Sequence, residues 1–98
     1  LEIGPAIKLI SEAKHNFNGF VALGCVIRGE TSHFDIVINE SARAITNLSL
    51  DYSLIIGNGI LTVDNKQQAI ERSNADENNK GYHAVLAASK LIDLKDNI

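Results

Sequence analysis

Phe20-Val-Ala-Leu-Gly-Cys-Val-Ile27 is an unbroken apolar run bounded by Gly19 and Gly29, and it carries two valines and an isoleucine. Short apolar runs rich in β-branched residues and closed by glycine read as strands buried on both faces, and such strands are mostly parallel. The stretch that follows fixes the class. From His33 to Leu50, Val37, Ala44 and Leu48 form one stripe while Ile38, Ala42 and Ile45 form another, so a broad apolar face at a helical period predicts a long helix. Tyr52 to Ile56 reads as a second short buried strand, closed by a turn at Gly57-Asn-Gly59. Strand, helix, strand is a β-α-β unit of an α/β fold, whose long crossover sets the two strands parallel.

Working outward, Ile3, Ile7 and Ile10, with Ala6 and Ala13, recur at helical spacing between about Pro5 and Lys14, and Pro5 suits a first turn. On the other side, Asp64 followed by Gln67 predicts a cap opening a short helix to about Ser73. A polar loop, Asn74 to Asn79, leads to a last helix in which Ala84, Ala88 and Leu91 share a face with Val85 and Ile92. Two strands make a poor sheet, because independent stability normally takes three or more or a covering partner.

With 98 residues the chain has the length of one domain. Its net charge of −3 argues against nucleic acid or an anionic membrane as partner. The longest apolar run is far too short to span a bilayer, and Lys8, Glu12, Lys14 and His15 interrupt any signal-peptide core. A single cysteine, Cys25, excludes an intrachain disulfide and fits a reducing, cytoplasmic setting. Mid-strand, its thiol is expected to be a small buried hydrophobe. The sequence contains no methionine, so Leu1 does not read as a natural start and the chain is expected to be a fragment or a processed piece.

Parallel strands end on one edge of a sheet, and ligands of open α/β sheets bind outside those carboxyl ends. The turn Arg28-Gly-Glu-Thr-Ser32 and the turn at Gly57-Asn-Gly59 are both expected there. Gly29 allows a tight turn, and Ser32 can cap the helix through the Ser32-His-Phe-Asp35 pattern. Backbone N–H groups at such a start favour a phosphate or carboxylate. A helix that is merely well capped gives the same pattern. His33, in the first turn, stands where a proton shuttle near neutral pH would be useful, though a solvated surface histidine fits equally. His15 and His83 have weaker claims and read as structural or solvated. Arg72 and Lys80 flank the polar loop and could clamp an anion; balancing Glu71, Asp76 and Glu77 is the plainer reading. No metal-ligand cluster, carboxylate pair or full nucleotide fingerprint is present, and Gly57-Asn-Gly59 lacks a third glycine.

Taken in order, Gly24-Cys-Val-Ile-Arg-Gly-Glu-Thr-Ser-His-Phe-Asp35, Asn58-Gly-Ile-Leu-Thr62, Gln68-Ala-Ile-Glu-Arg72 and Asn79-Lys-Gly81 closely resemble the 6,7-dimethyl-8-ribityllumazine synthase family. The resemblance covers essentially the whole chain and starts at Leu1-Glu-Ile3, similar to the family's Phe-Glu-Ile-Pro segment. It therefore corresponds to the carboxy-terminal two thirds of the family domain, a flavodoxin-like three-layer fold with a parallel sheet. The resemblance implies the penultimate step of riboflavin biosynthesis. A ribitylamino-pyrimidinedione amine condenses with 3,4-dihydroxy-2-butanone 4-phosphate, and phosphate and water leave. No metal or organic cofactor is implied. Homopentamers, in some members built into icosahedral shells, are the implied assembly.

By position, the resemblance makes His33 the proton-transfer residue and Gly29, Glu30 and Thr31 the phosphate-binding turn. It sets the backbone of Val26 and Ile27 against the pyrimidinedione, Glu2 near the ribityl chain, Arg72 on phosphate and Lys80 on the ring or its substituents, the last two supplied by a neighbouring subunit. Asn58 stands where many members carry an aromatic residue, and Gly4 where a proline is usual. A non-catalytic lumazine- or flavin-binding, shell-forming module is the rival reading, supported by Asn58 and by the absence of the family's amino-terminal segment from the sequence.

Overall fold

The computed structural model describes residues 1–13 and 16–98. In chain order these form α1 (Ile3–Glu12), β1 (Phe20–Ile27), α2 (His33–Tyr52), β2 (Ile56–Val63), α3 (Lys66–Ser73) and α4 (Lys80–Asp96). The two strands pair in parallel, from Phe20 opposite Ile56 to Ile27 opposite Val63. The β-α-β reading is therefore observed, with β1 bounded as its apolar run predicts.

Alternation along the strands sorts side chains onto two faces. Phe20, Ala22, Ile56 and Ile60 turn toward α1 and α2, where Ile7, Ala22, Ile45, Leu48 and Ile56 form the main buried cluster with Ile3 and Leu54 against it. The opposite face is covered by α4, whose Ala84 and Ala88 are buried against the strands together with Val63. Helices on both sides of a parallel sheet give three layers, as the sequence leads one to expect.

The second strand is displaced from its expected place. Tyr52 still belongs to α2, which ends at Ser53 in the left-handed region, φ 55° and ψ 33°. β2 begins at Ile56 and runs through Gly57-Asn-Gly59, so no turn lies there. The glycines serve close packing instead: a Cβ on Gly57 would stand 2.0 Å from the Ala84 carbonyl oxygen, and one on Gly59 2.8 Å from Leu23 Cδ2. At Gly57 a helix backbone this near the strand excludes any side chain. The turn after β2 is consequently Asp64-Asn65.

Burial of β1 on both faces is not observed. Ala22 is its one buried residue, Cys25 is exposed, and Leu23 is 61% exposed. α4 seats chiefly on β2, and the outer edge of β1 has no partner strand among the described residues. Two helix faces also differ from their pattern: Val85 and Leu91 of α4 are exposed, and Ala42 of α2 faces solvent while Phe34 and Ser41 are buried. The cap of α3 is shifted by one residue. Asn65 Oδ1 accepts from the Gln68 N–H at 2.9 Å, and Gln68 Oε1 accepts from the Asp64 N–H at 2.7 Å. The position of His15 lies outside the described residues.

Candidate functional site

The carboxyl ends of β1 and β2 are joined by the Arg28 N–H, which donates to the Val63 carbonyl at 2.8 Å. From there Arg28-Gly-Glu-Thr-Ser32 climbs to α2. Ser32 occupies the N-cap position without a side-chain cap bond; Thr31 Oγ1 instead accepts from the His33 N–H at 3.3 Å. Capping by Ser32 is thus replaced by capping from Thr31. Gly29 has no positive φ and no neighbour within 4 Å of where a Cβ would stand, so neither backbone strain nor crowding demands glycine there. Glu30, Thr31 and His33 are all exposed at this edge.

Beneath the turn lies an arrangement that the sequence reading passed over. Arg28 Nε donates to Asp64 Oδ1 at 2.9 Å, its Nη1 is 4.0 Å from Asp35 Oδ1, and its guanidinium sits 4.4 Å from the centroid of the buried Phe34 ring. The Asp64 hydrogen bond, opposed by some desolvation and reinforced by the charges of Asp64 and Asp35, raises the Arg28 pKa above its ordinary value. One side chain therefore ties the ends of both strands to the first turn of α2. The signal was present: Arg28 and Asp64 directly follow Ile27 and Val63, which are register partners, but this shows only once β2 is placed correctly.

The other candidates gather elsewhere. Arg72, at the end of α3, and Lys80, first residue of α4, line a cavity of about 380 Å³ with Glu71, Asn78 and His83. A second cavity, about 180 Å³, joins the same two cations to Asn58 and Thr62 on β2. Neither cation forms an ion pair among the described residues, although Glu71, Asp76 and Glu77 are close in sequence. Charge balancing therefore does not account for them. The Asn58 side chain bends back along its own strand, Oδ1 accepting from the Ile60 N–H at 3.0 Å. None of Gly29, Glu30, Thr31 and His33 lines either cavity.

Val26 is half-buried and Ile27 exposed at the end of β1. Glu2 is exposed before α1, its carbonyl accepting from the Ala6 N–H, and the next residue, Ile3, reaches over Gly24 of β1. His83 had the weaker claim from sequence. Its Nε2 donates to the Glu77 carbonyl at 2.9 Å and the residue lines the basic cavity, which gives it a structural role beside that site. No group of three or more potential metal ligands occurs among the described residues, and no described helix is long and apolar enough to cross a membrane.

Helices on both sides of a parallel sheet, with a turn and a histidine at the carboxyl edge of the strands, define the class as a three-layer α/β protein. Comparison with known proteins makes the class specific. The family model for 6,7-dimethyl-8-ribityllumazine synthase matches residues 1–96, and the chain belongs to that family, whose fold is flavodoxin-like. The chain is 54% identical over 95 residues to a protein of that name from Bartonella tribocorum, covering 97% of this chain and 63% of the relative. It is 51% identical to 6,7-dimethyl-8-ribityllumazine synthase 1 of Rhizobium meliloti, covering all of this chain and 67% of the relative. Against the Zymomonas mobilis protein identity is also 51%, covering all of this chain and 69% of the relative. The chain thus spans between about three fifths and seven tenths of the length of these relatives.

Proposed function

We propose that the protein makes 6,7-dimethyl-8-ribityllumazine, condensing the 5-amino group of the ribitylamino-pyrimidinedione with the ketone of 3,4-dihydroxy-2-butanone 4-phosphate. Water leaves as the imine forms, phosphate is eliminated, and the ribityl-bearing nitrogen closes the ring with loss of a second water. Family membership supports this reading. The structural observation that carries it is the exposed turn Gly29-Glu-Thr31 running into His33 at the start of α2.

In this reading His33 moves the protons of imine formation and phosphate elimination, because an imidazole can both donate and accept a proton. The N–H groups of Gly29, Glu30 and Thr31 and the positive end of α2 receive phosphate, and the bare Cα of Gly29 lets it approach the backbone. Arg72 adds a planar, permanently charged partner for the departing phosphate. Lys80 and Asn58 serve the ring and its substituents, the backbone of Val26 and Ile27 meets the pyrimidinedione, and Glu2 serves the ribityl hydroxyls. Holding two substrates in register accounts for much of the remaining acceleration.

The assembly proposed is a homopentamer or an icosahedral shell of pentamers in the cytoplasm, with Arg72 and Lys80 reaching the His33 turn of a neighbour. Two observations support it: none of Gly29, Glu30, Thr31 and His33 lines the cavities that Arg72 and Lys80 border, and Val21, Leu23 and Ile27 leave apolar surface on β1 exposed. The full-length assembled protein, incubated with both substrates, is expected to generate the absorbance of the lumazine. Absence of product would remove the enzyme and leave a binding or shell-forming module. An active monomer in light scattering would contradict the shared site.

A further inference from the structure

We infer that Asn79 is the positioning residue of the basic pair, its one amide both ending α3 and beginning α4 and so setting how Arg72 and Lys80 stand to each other. Nδ2 donates to the carbonyl oxygens of Ser73 at 3.1 Å and Asn74 at 2.8 Å, which close α3. Oδ1 accepts from the Tyr82 N–H at 2.8 Å in the first turn of α4. Arg72 immediately precedes Ser73, and Lys80 immediately follows Asn79. A planar amide with two donors and one acceptor can serve both helix ends at once; aspartate has no donor, and serine has only one.

The tie matters because both cations face one cavity and neither is held by an ion pair among the described residues, so their spacing is set by the helix ends that carry them. Asn79 is half-buried, and residue 81 is a glycine whose Cβ would stand 3.1 Å from Asn79 Oδ1. The intervening loop is braced in the same sense: Asp76 Oδ1 accepts from the Asn78 N–H at 2.8 Å, and His83 holds the Glu77 carbonyl. The loop is a spacer of set length, with Asn79 as its clasp.

This inference rests on Arg72 being the phosphate ligand proposed above, and a double-mutant cycle in the full-length assembled protein separates the two ideas. Asn79→Ser keeps a capping oxygen for α4 but loses the double donor; Asn79→Asp, an equally good cap, replaces it if the serine variant fails to assemble. Asn79→Ser is expected to raise KM for the butanone phosphate about tenfold, leaving KM for the pyrimidinedione unchanged, and to add less than about twofold once Arg72 is alanine. Equal fold-changes in both backgrounds, or no change in either, would overturn the role while leaving the activity intact. Should the parent make no lumazine, the activity reading falls and the cycle is read on inorganic phosphate binding by calorimetry. There a loss that needs Arg72 supports the clasp, and an equal loss or none overturns it.

Discussion

Arg28 and Asp64 close the sheet at its carboxyl edge: the residue after β1 donates through Nε to the residue after β2 at 2.9 Å. Both side chains are more than half exposed, so the pair adds little to stability, and screening by salt reduces that further. Its value is geometric, because Arg28 also begins the turn that carries Gly29, Thr31 and His33. Arg28→Ala should move the thermal midpoint only slightly yet reduce turnover about tenfold or more, since misplacing a reacting group by a fraction of its contact distance is costly. A large fall in midpoint with turnover per folded protein unchanged would make the pair a stability feature alone.

Gly57 gives a sharper test of the packing. Its missing Cβ would stand 2.0 Å from the Ala84 carbonyl oxygen and 2.8 Å from the carbonyl carbon, both main-chain atoms of α4 that cannot rotate away. Gly57→Ala must therefore push α4 off β2, at a cost of about 1–3 kcal/mol or more. The denaturation midpoint should fall accordingly. Gly29→Ala, whose Cβ would meet no neighbour within 4 Å, should leave that midpoint nearly unchanged. Equal losses at the two positions would contradict the close approach.

On α2, Glu40 and Arg43 form an exposed pair, with Arg43 Nε 2.9 Å from Glu40 Oε2. The hydrogen bond and then the charge of Arg43 lower the Glu40 pKa from its ordinary 4.5. A carboxylate with a depressed folded value stabilises the fold above its unfolded pKa and loses that contribution as pH falls through the folded one. The parent should hence melt slightly above Arg43→Gln at pH 7, and the gap should close on acidification below about 4.5. A gap that persists there would belong to packing by the arginine stem.

What could be read from sequence follows from how local each signal is. Phe20–Ile27 declared itself because an unbroken apolar run ends where its glycines stand, and α2 because its apolar period persists over many residues. Gly57-Asn-Gly59 was misread because a glycine demanded by a turn and one demanded, as at Gly57, by a passing helix are the same letter until α4 is in place. That error displaced β2 and hid the Arg28–Asp64 tie, which depends on register. The position of the Gly29–Ser32 turn and of His33 after β1 could be read from strand and helix boundaries alone. The meeting of Arg72, Lys80 and His83 could not, because it depends on how the Asn74–Asn79 loop folds between α3 and α4.

The absence of the His33 turn from the lining of the Arg72–Lys80 cavities leads to a complementation test. If each working site takes His33 from one copy and Arg72 from the next, the two halves lie on opposite sides of a subunit interface. His33→Ala alone should lower turnover about a hundredfold or more, as expected for loss of a general acid-base group. Arg72→Ala alone should chiefly weaken use of the phosphate substrate. Co-assembled at equal amounts, the two impaired chains would by chance place an intact His33 against an intact Arg72 in about one quarter of interfaces, and at a phosphate-substrate concentration where each alone is nearly silent activity should return to roughly that fraction of the parent. Were both residues drawn from the same chain at every site, no mixture could contain an intact one, and co-assembly would recover nothing.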